Sequence, residues 1–195
     1  TAQVLIAGGD QVSYGRKLPH GHTYRQKLLA ELDGKLDTAK VHFLGRVPHT
    51  DFIRMLQVST AHVYLSYPFV LSWSMLEAMA AGCLVIGSAT PPVQEVIRDG
   101  ENGLLVGFFD QQALAQRVGE ALAERDRLET LRARARQGIV ARYDLKTVCL
   151  PRQMAIVQSI LGGKTRETGK RVGRSAAAAV AAAAEQETLP KLTTT

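Results

Sequence analysis

The sequence predicts an α/β fold: a doubly wound, Rossmann-like parallel sheet followed by a disordered or weakly helical tail. Three observations carry this prediction. Apolar runs of four or five residues recur along residues 1–161, continuous rather than alternating. Continuous runs mark strands covered on both faces, as in parallel sheets. The stretches between them carry apolar residues at helical spacing, so strands and helices alternate. Residues 162–195 break the pattern, with no aromatic residue and eight alanines around Val180. Burial there cannot offset the entropy of ordering, although the alanine block can be transiently helical.

Val4-Leu5-Ile6-Ala7 reads as a buried strand ending at Gly8-Gly9. Leu28, Leu29, Leu32 and Leu36 space out an amphipathic helix over residues 23–36. Val41-His42-Phe43-Leu44 is a second strand stopped by Gly45, and Thr50 is the expected cap of a helix running through Phe52, Ile53 and Leu56. Residues 61–65 form the third strand. Ser72 or Ser74 can cap a helix from Trp73 to Ala81 that stops at Gly82. Leu84-Val85-Ile86-Gly87 is the fourth strand, Pro91-Pro92 a break before a helical turn over 93–97, and residues 99–103 a two-glycine turn. Leu104-Leu105-Val106 is the fifth strand. Helices fill 111–124, 127–142 and 145–161. Ligands of such sheets bind outside the carboxyl ends of the strands.

The 195 residues suit one domain, residues 1–161, plus the tail. No run approaches about 18 apolar residues, so no membrane-crossing helix is expected. The opening Thr1-Ala2-Gln3-Val4 has no basic and apolar leader and meets a strand almost at once. A cytoplasmic piece of a longer protein is expected. Two cysteines, Cys83 and Cys149, exclude a disulfide framework and a Cys-rich zinc module, and both read as reduced core residues. The net charge is +6, half of it in the tail. This balance permits a nucleotide diphosphate or an acidic lipid surface as partner. Without a helix-turn-helix or a basic stripe interleaved with aromatics, nucleic acid is not expected. His20 and His22 lack a third ligand nearby, so no metal site is expected. His42 and His62 read as satisfied core residues, and His49 as an exposed residue before a helix.

The segment Tyr67 to Gly82 joins the third strand to a helix at the ligand edge. Its helix start offers backbone N–H groups and positive dipole density to a diphosphate. Ser72 and Ser74 add hydroxyls, unless they merely cap. Glu77, one turn inside, can accept two hydrogen bonds from the vicinal hydroxyls of a ribose. Trp73 reads either as a neighbour of the site or as an indole packed under the helix.

Leu76-Glu77-Ala78-Met79-Ala80-Ala81-Gly82 with Leu84 to Ser88 resembles the carboxyl-terminal domain of the retaining GT-B glycosyltransferases of family GT4. Pro92 to Val106, Val41 to Val47 and Tyr143-Asp144 continue the resemblance in order, over roughly residues 3–160. It implies a domain that binds a nucleotide-sugar donor, with no added cofactor and no metal required. No Asp-x-Asp triplet is present. By that resemblance Glu77 holds the ribose, Ser72, Trp73 and Ser74 lie along the diphosphate, and Gly45, Arg46 and Val47 hold the base. Gly9 and Glu95 take secondary places. The family's first Glu falls at Phe69, so that sugar contact is lost here. The family's first strand–helix unit, with its Arg and Lys, and the acceptor domain are expected outside this chain, which alone should turn over no sugar nucleotide. The acceptor would be a sugar, lipid or other hydroxyl compound, with peripheral membrane contact. A non-catalytic nucleotide-sugar-binding module is the alternative.

Overall fold

A computed structural model describes residues 2–10, 12, 16–67, 70–124, 126 and 128–161, without the side chain of His20. Pro68, Phe69 and the tail 162–195 lie outside the described residues. Two units are distinguished, Thr1–Asp144 and Leu145–Thr195.

In the first unit, strands β1 (Val4–Ala7), β2 (Val41–Gly45), β3 (Ala61–Tyr64), β4 (Leu84–Ser88) and β5 (Leu104–Val106) alternate with helices. The helices are α1 (Tyr24–Glu31), α2 (His49–Val58), α3 (Trp73–Ala80), α4 (Pro91–Gln94), α5 (Gln111–Ala123) and α6 (Glu129–Tyr143). All pairings between these strands are parallel, as the continuous apolar runs require. The strands fall into two sheets, β1-β2 and β3-β4-β5. Thus β1 and β3 each keep an edge without a strand partner among the described residues.

β4 is the centre of the larger sheet, and all five of its residues are buried. The pleat sends alternate side chains to opposite faces. Val85 joins Met75, Ala78 and Met79 of α3, Leu56 of α2, and Ala135 and Ile139 of α6. Leu84 and Ile86 join Leu104, Val106, Leu128 and Ala121 of α5. The core therefore has helices on both sides of one short parallel sheet. Cys83, at the head of β4, is 1% exposed, and burial pushes its thiol up to about 11, against a smaller opposing pull from the Arg132 guanidinium. Arg132 is itself buried and donates from Nη2 to the Thr60 carbonyl, while Arg136 donates to the Ala80 carbonyl. These two guanidiniums tie α6 to the ends of α2 and α3.

Several expectations need correction. β1 exists but is not buried: Val4, Leu5 and Ile6 are all exposed. The helix expected over 23–36 ends at Glu31, because Asp33-Gly34 turns the chain. Thr23 caps it, in a reciprocal pair with Gln26, and none of its residues is buried. Thr50 does not cap α2. The helix begins at His49, two residues before the start that a Thr50 cap would set, after Pro48 and with no side-chain cap. The Pro91-Pro92 pair starts α4 rather than breaking the chain before it, since proline suits the first helical turn. His42 is exposed and bonded to Gln3 at 2.8 Å. His62 is half-buried, its Nε2 has no partner among the described residues, and burial lowers its pKa.

The second unit opens with a wide turn over Leu145–Cys149 and continues as α7 (Leu150–Leu161). Cys149 is half-buried there. No helix among the described residues is long and apolar enough to cross a membrane.

Candidate functional site

The carboxyl ends of β1 and β2 lie side by side. Gly8 N–H donates to the Gly45 carbonyl at 2.7 Å. Gly45 holds φ at +65°, a conformation that glycine takes without strain and that turns the chain from strand towards α2. The Arg46 side chain lies over Gly9, where an added Cβ would meet its Nε at 3.4 Å. Gly9, Gly45 and Arg46 therefore form one cluster, with half-buried Val47 following.

The second cluster opens α3. Ser72 is the cap: its Oγ accepts from Ser74 N–H at 3.3 Å, and its own N–H donates to the Tyr64 hydroxyl at 3.0 Å. The two serine hydroxyls lie 2.9 Å apart. That bond consumes one of their two hydrogens, so the other is left to donate outward. Capping and ligand contact are thus compatible at Ser72 and Ser74. Trp73 is 81% exposed, so the reading of an indole packed under the helix is corrected. At the first helical position no earlier turn exists for its ring to cover.

Glu77 lies half-buried one turn further on, its side chain 30% exposed. The link between the clusters is one that sequence reasoning missed. His49 Nε2 lies 2.7 Å from Glu77 Oε1, across 28 residues of chain. The helix-start position of His49 was legible, but its partner was not. The available signal was that α2 and α3 each begin after the carboxyl end of a strand. The His49–Glu77 contact draws the segment after Gly45-Arg46-Val47 against the Glu77 carboxylate. Phe69 lies outside the described residues.

Glu95 is exposed. It lines a shallow cleft of about 390 Å³ with Arg98, Glu101, Asn102, Arg134 and Arg142. Asp99 and Asn102 build the neighbouring turn: Asp99 accepts from Leu105 N–H at 2.8 Å, and Asn102 bonds Arg98 N–H and the Val96 carbonyl. The structural reading of that turn fits these bonds. Among the described residues no three His, Cys, Asp or Glu side chains are grouped to hold a metal ion.

The family model "Glycosyl transferases group 1" matches residues 1–138. The D-inositol 3-phosphate glycosyltransferase of Corynebacterium urealyticum is 30% identical over 125 residues, 64% of this chain and 28% of that protein. Among solved structures, Anabaena HepE in complex with UDP superposes with a TM-score of 0.68 at 19% identity. The match covers 81% of this chain and 41% of HepE. The sucrose-phosphate synthase of Thermosynechococcus elongatus gives 0.70 at 24% identity, covering 82% and 39%. Both share the fold. The chain spans about a quarter of the length of the curated relatives that it matches. With the family model covering well over half of its residues, in order through all five strands, the chain belongs to the group 1 glycosyl transferases.

Proposed function

We propose that this chain is the donor-binding part of an enzyme that transfers a sugar from a nucleotide diphosphate to an acceptor hydroxyl. The observation that carries this reading is the His49–Glu77 contact, which brings the β2–α2 segment and the α3 carboxylate to one edge. Glu77 accepts from the ribose hydroxyls. The amino end of α3, with Ser72, Trp73 and Ser74, takes the diphosphate through N–H groups and helix dipole. Gly45, Arg46 and Val47 hold the base through backbone groups, with Gly9 backing Arg46. Glu95 keeps only a secondary place. Helix-end electrostatics stabilise the departing diphosphate, and no metal is needed for that step. The acceptor-binding half and a first strand–helix unit come from polypeptide outside this chain, consistent with the greater length of its relatives. The location is cytoplasmic, with peripheral membrane contact where the acceptor is lipid-linked.

The test is the affinity of UDP and 2′-deoxy-UDP for the native chain and for Glu77→Gln. A hydrogen bond to a charged group contributes about 1.5–3 kcal/mol, so the variant should bind UDP roughly tenfold or more weakly. The 2′-deoxy compound should lose most of the same affinity on the native chain and little more on the variant. Unchanged UDP affinity in Glu77→Gln would remove the reading. A second reading, a non-catalytic nucleotide-sugar-binding module, is favoured by Phe69, which stands where the family has a carboxylate. Donor binding without turnover, even when the chain is joined to its acceptor-binding half, would select it.

A further inference from the structure

We infer that His49 is a positioning residue, which sets the Glu77 carboxylate for the ribose and so gives the site its preference for ribonucleotides. This inference rests on the donor-site reading above and assigns that site a residue of its own.

The two backbones that carry the pair are fixed. Leu56 of α2 is buried in the same core cluster as Met75 and Met79 of α3, with Phe52 and Ile53 packed against it. His49 and Glu77 thus project from two helices that share one core. The imidazole is steadied by Phe52, one turn along α2, with ring centroids 6.3 Å apart and planes tilted by 40°. Glu77, by contrast, has three rotatable bonds and a half-buried position. Among the described residues its carboxylate has no hydrogen-bond partner but His49.

The hydrogen bond leaves room for substrate. An ionised carboxylate has about four acceptor positions. The His49 Nε2–H fills one on Oε1. The second position on Oε1 and both on Oε2 remain, enough for two vicinal hydroxyls. Holding Oε1 selects one rotamer before the nucleotide arrives, and pre-organisation of this kind raises affinity by reducing the ordering cost of binding. The gain falls on the hydroxyls that Glu77 meets, not on the diphosphate at Ser72 and Ser74. The expected signature is therefore a change in selectivity between ribose and 2′-deoxyribose.

Geometry supplies a discriminating set of variants. Gln places its side-chain nitrogen as many bonds from Cα as the histidine Nε2, whereas Asn stops one bond short and Ala has no donor. The His49 side chain is 69% exposed in the first turn of α2, so these substitutions leave the core intact. The readout is the ratio of UDP to 2′-deoxy-UDP affinity on the 195-residue chain, measured by calorimetry, with inorganic pyrophosphate as the control probe. One hydrogen bond has a net worth of about two- to tenfold in affinity. His49→Ala and His49→Asn should lower the ratio by that factor and leave pyrophosphate affinity unchanged. His49→Gln should restore the ratio. Two outcomes overturn the inference: a native ratio in His49→Ala, whether both affinities are kept or fall equally, or a His49→Gln variant as poor as His49→Ala. If Glu77→Gln still lowers the ratio in either case, the donor-site reading stands without His49. A native chain that does not distinguish the two nucleotides would overturn the reading and the inference together.

Discussion

The apolar runs of β1 and β4 are alike in length and composition, and the fold treats them oppositely. Every residue of β4 is buried, whereas Ile6 in the middle of β1 is 44% exposed. The difference lies in the neighbours. β4 has a strand on each side, α3 and α6 over one face and α5 over the other. β1 has β2 on one side only, and α1 buries none of its own residues. Among the described residues, none before Leu56 is buried. A continuous apolar run thus states that a strand can be covered on both faces; what covers it is decided elsewhere. The candidate site spans both regimes, with Gly9, Gly45 and Arg46 on the thinly packed half and Ser72, Ser74 and Glu77 on the packed one.

The largest expected effect is a direct contrast between the two strands. Ile86→Ala should cost about 2–5 kcal/mol, the range for a buried aliphatic truncation. Ile6→Ala should stay within about 1 kcal/mol, as substitutions away from a packed core do. Both are read from urea unfolding midpoints. Equal losses would mean that β1 is covered in solution, and the comparison would fail. Next comes Arg132→Ala, which leaves the Thr60 carbonyl without its guanidinium donor and opens the α6 tie. Stability should fall by about 1–3 kcal/mol. An unaffected midpoint would show that α6 is held by its apolar face alone.

Smaller still is the effect of ligand. UDP at ten times its dissociation constant should add about 1.4 kcal/mol. Hydrogen exchange should slow most in β1, β2 and the segment to His49, where packing is thin, and least in β4. Uniform slowing would show that the two halves open together. The smallest effect concerns pH. Burial lowers the His62 pKa from its usual 6.5, so between the two values the unfolded chain binds more protons than the folded one. The His62 contribution is full above pH 6.5 and is lost as pH falls from there through the lower, folded value. Subtracting a His62→Leu stability curve from the native one should isolate that slope. A flat difference would place the imidazole in water.

Much of this was legible in the sequence, for physical reasons that can be named. β4, β5, a serine cap at Ser72 or Ser74 and the stop at Gly82 follow from local signals: apolar runs, a hydroxyl before a helix, and a glycine able to take φ of +80°; the structure chooses Ser72. The turn at residues 99–103 was legible in the same way. The split into two sheets was not, since edge pairing depends on elements far apart in the chain. The exposure of β1 was missed, and that of Trp73 left undecided, because residue type records what a side chain tolerates, not what lies above it. The His49–Glu77 contact was missed because its partners belong to separate helices, each ordinary when read alone.

Cys83 carries a consequence for how this molecule reveals its own motions. With its thiol pushed up to about 11 and almost none of its surface open, Cys83 stays protonated at pH 8, and reagents could not reach it in the closed state. Alkylation must therefore wait for the sheet around β4 to come apart. The rate at Cys83, read apart from that at half-buried Cys149, then reports the opening of the packed half, however much the strands of the other half move. A single native sulfur is thus an internal clock for one cooperative unit, running at a rate set by that unit's stability.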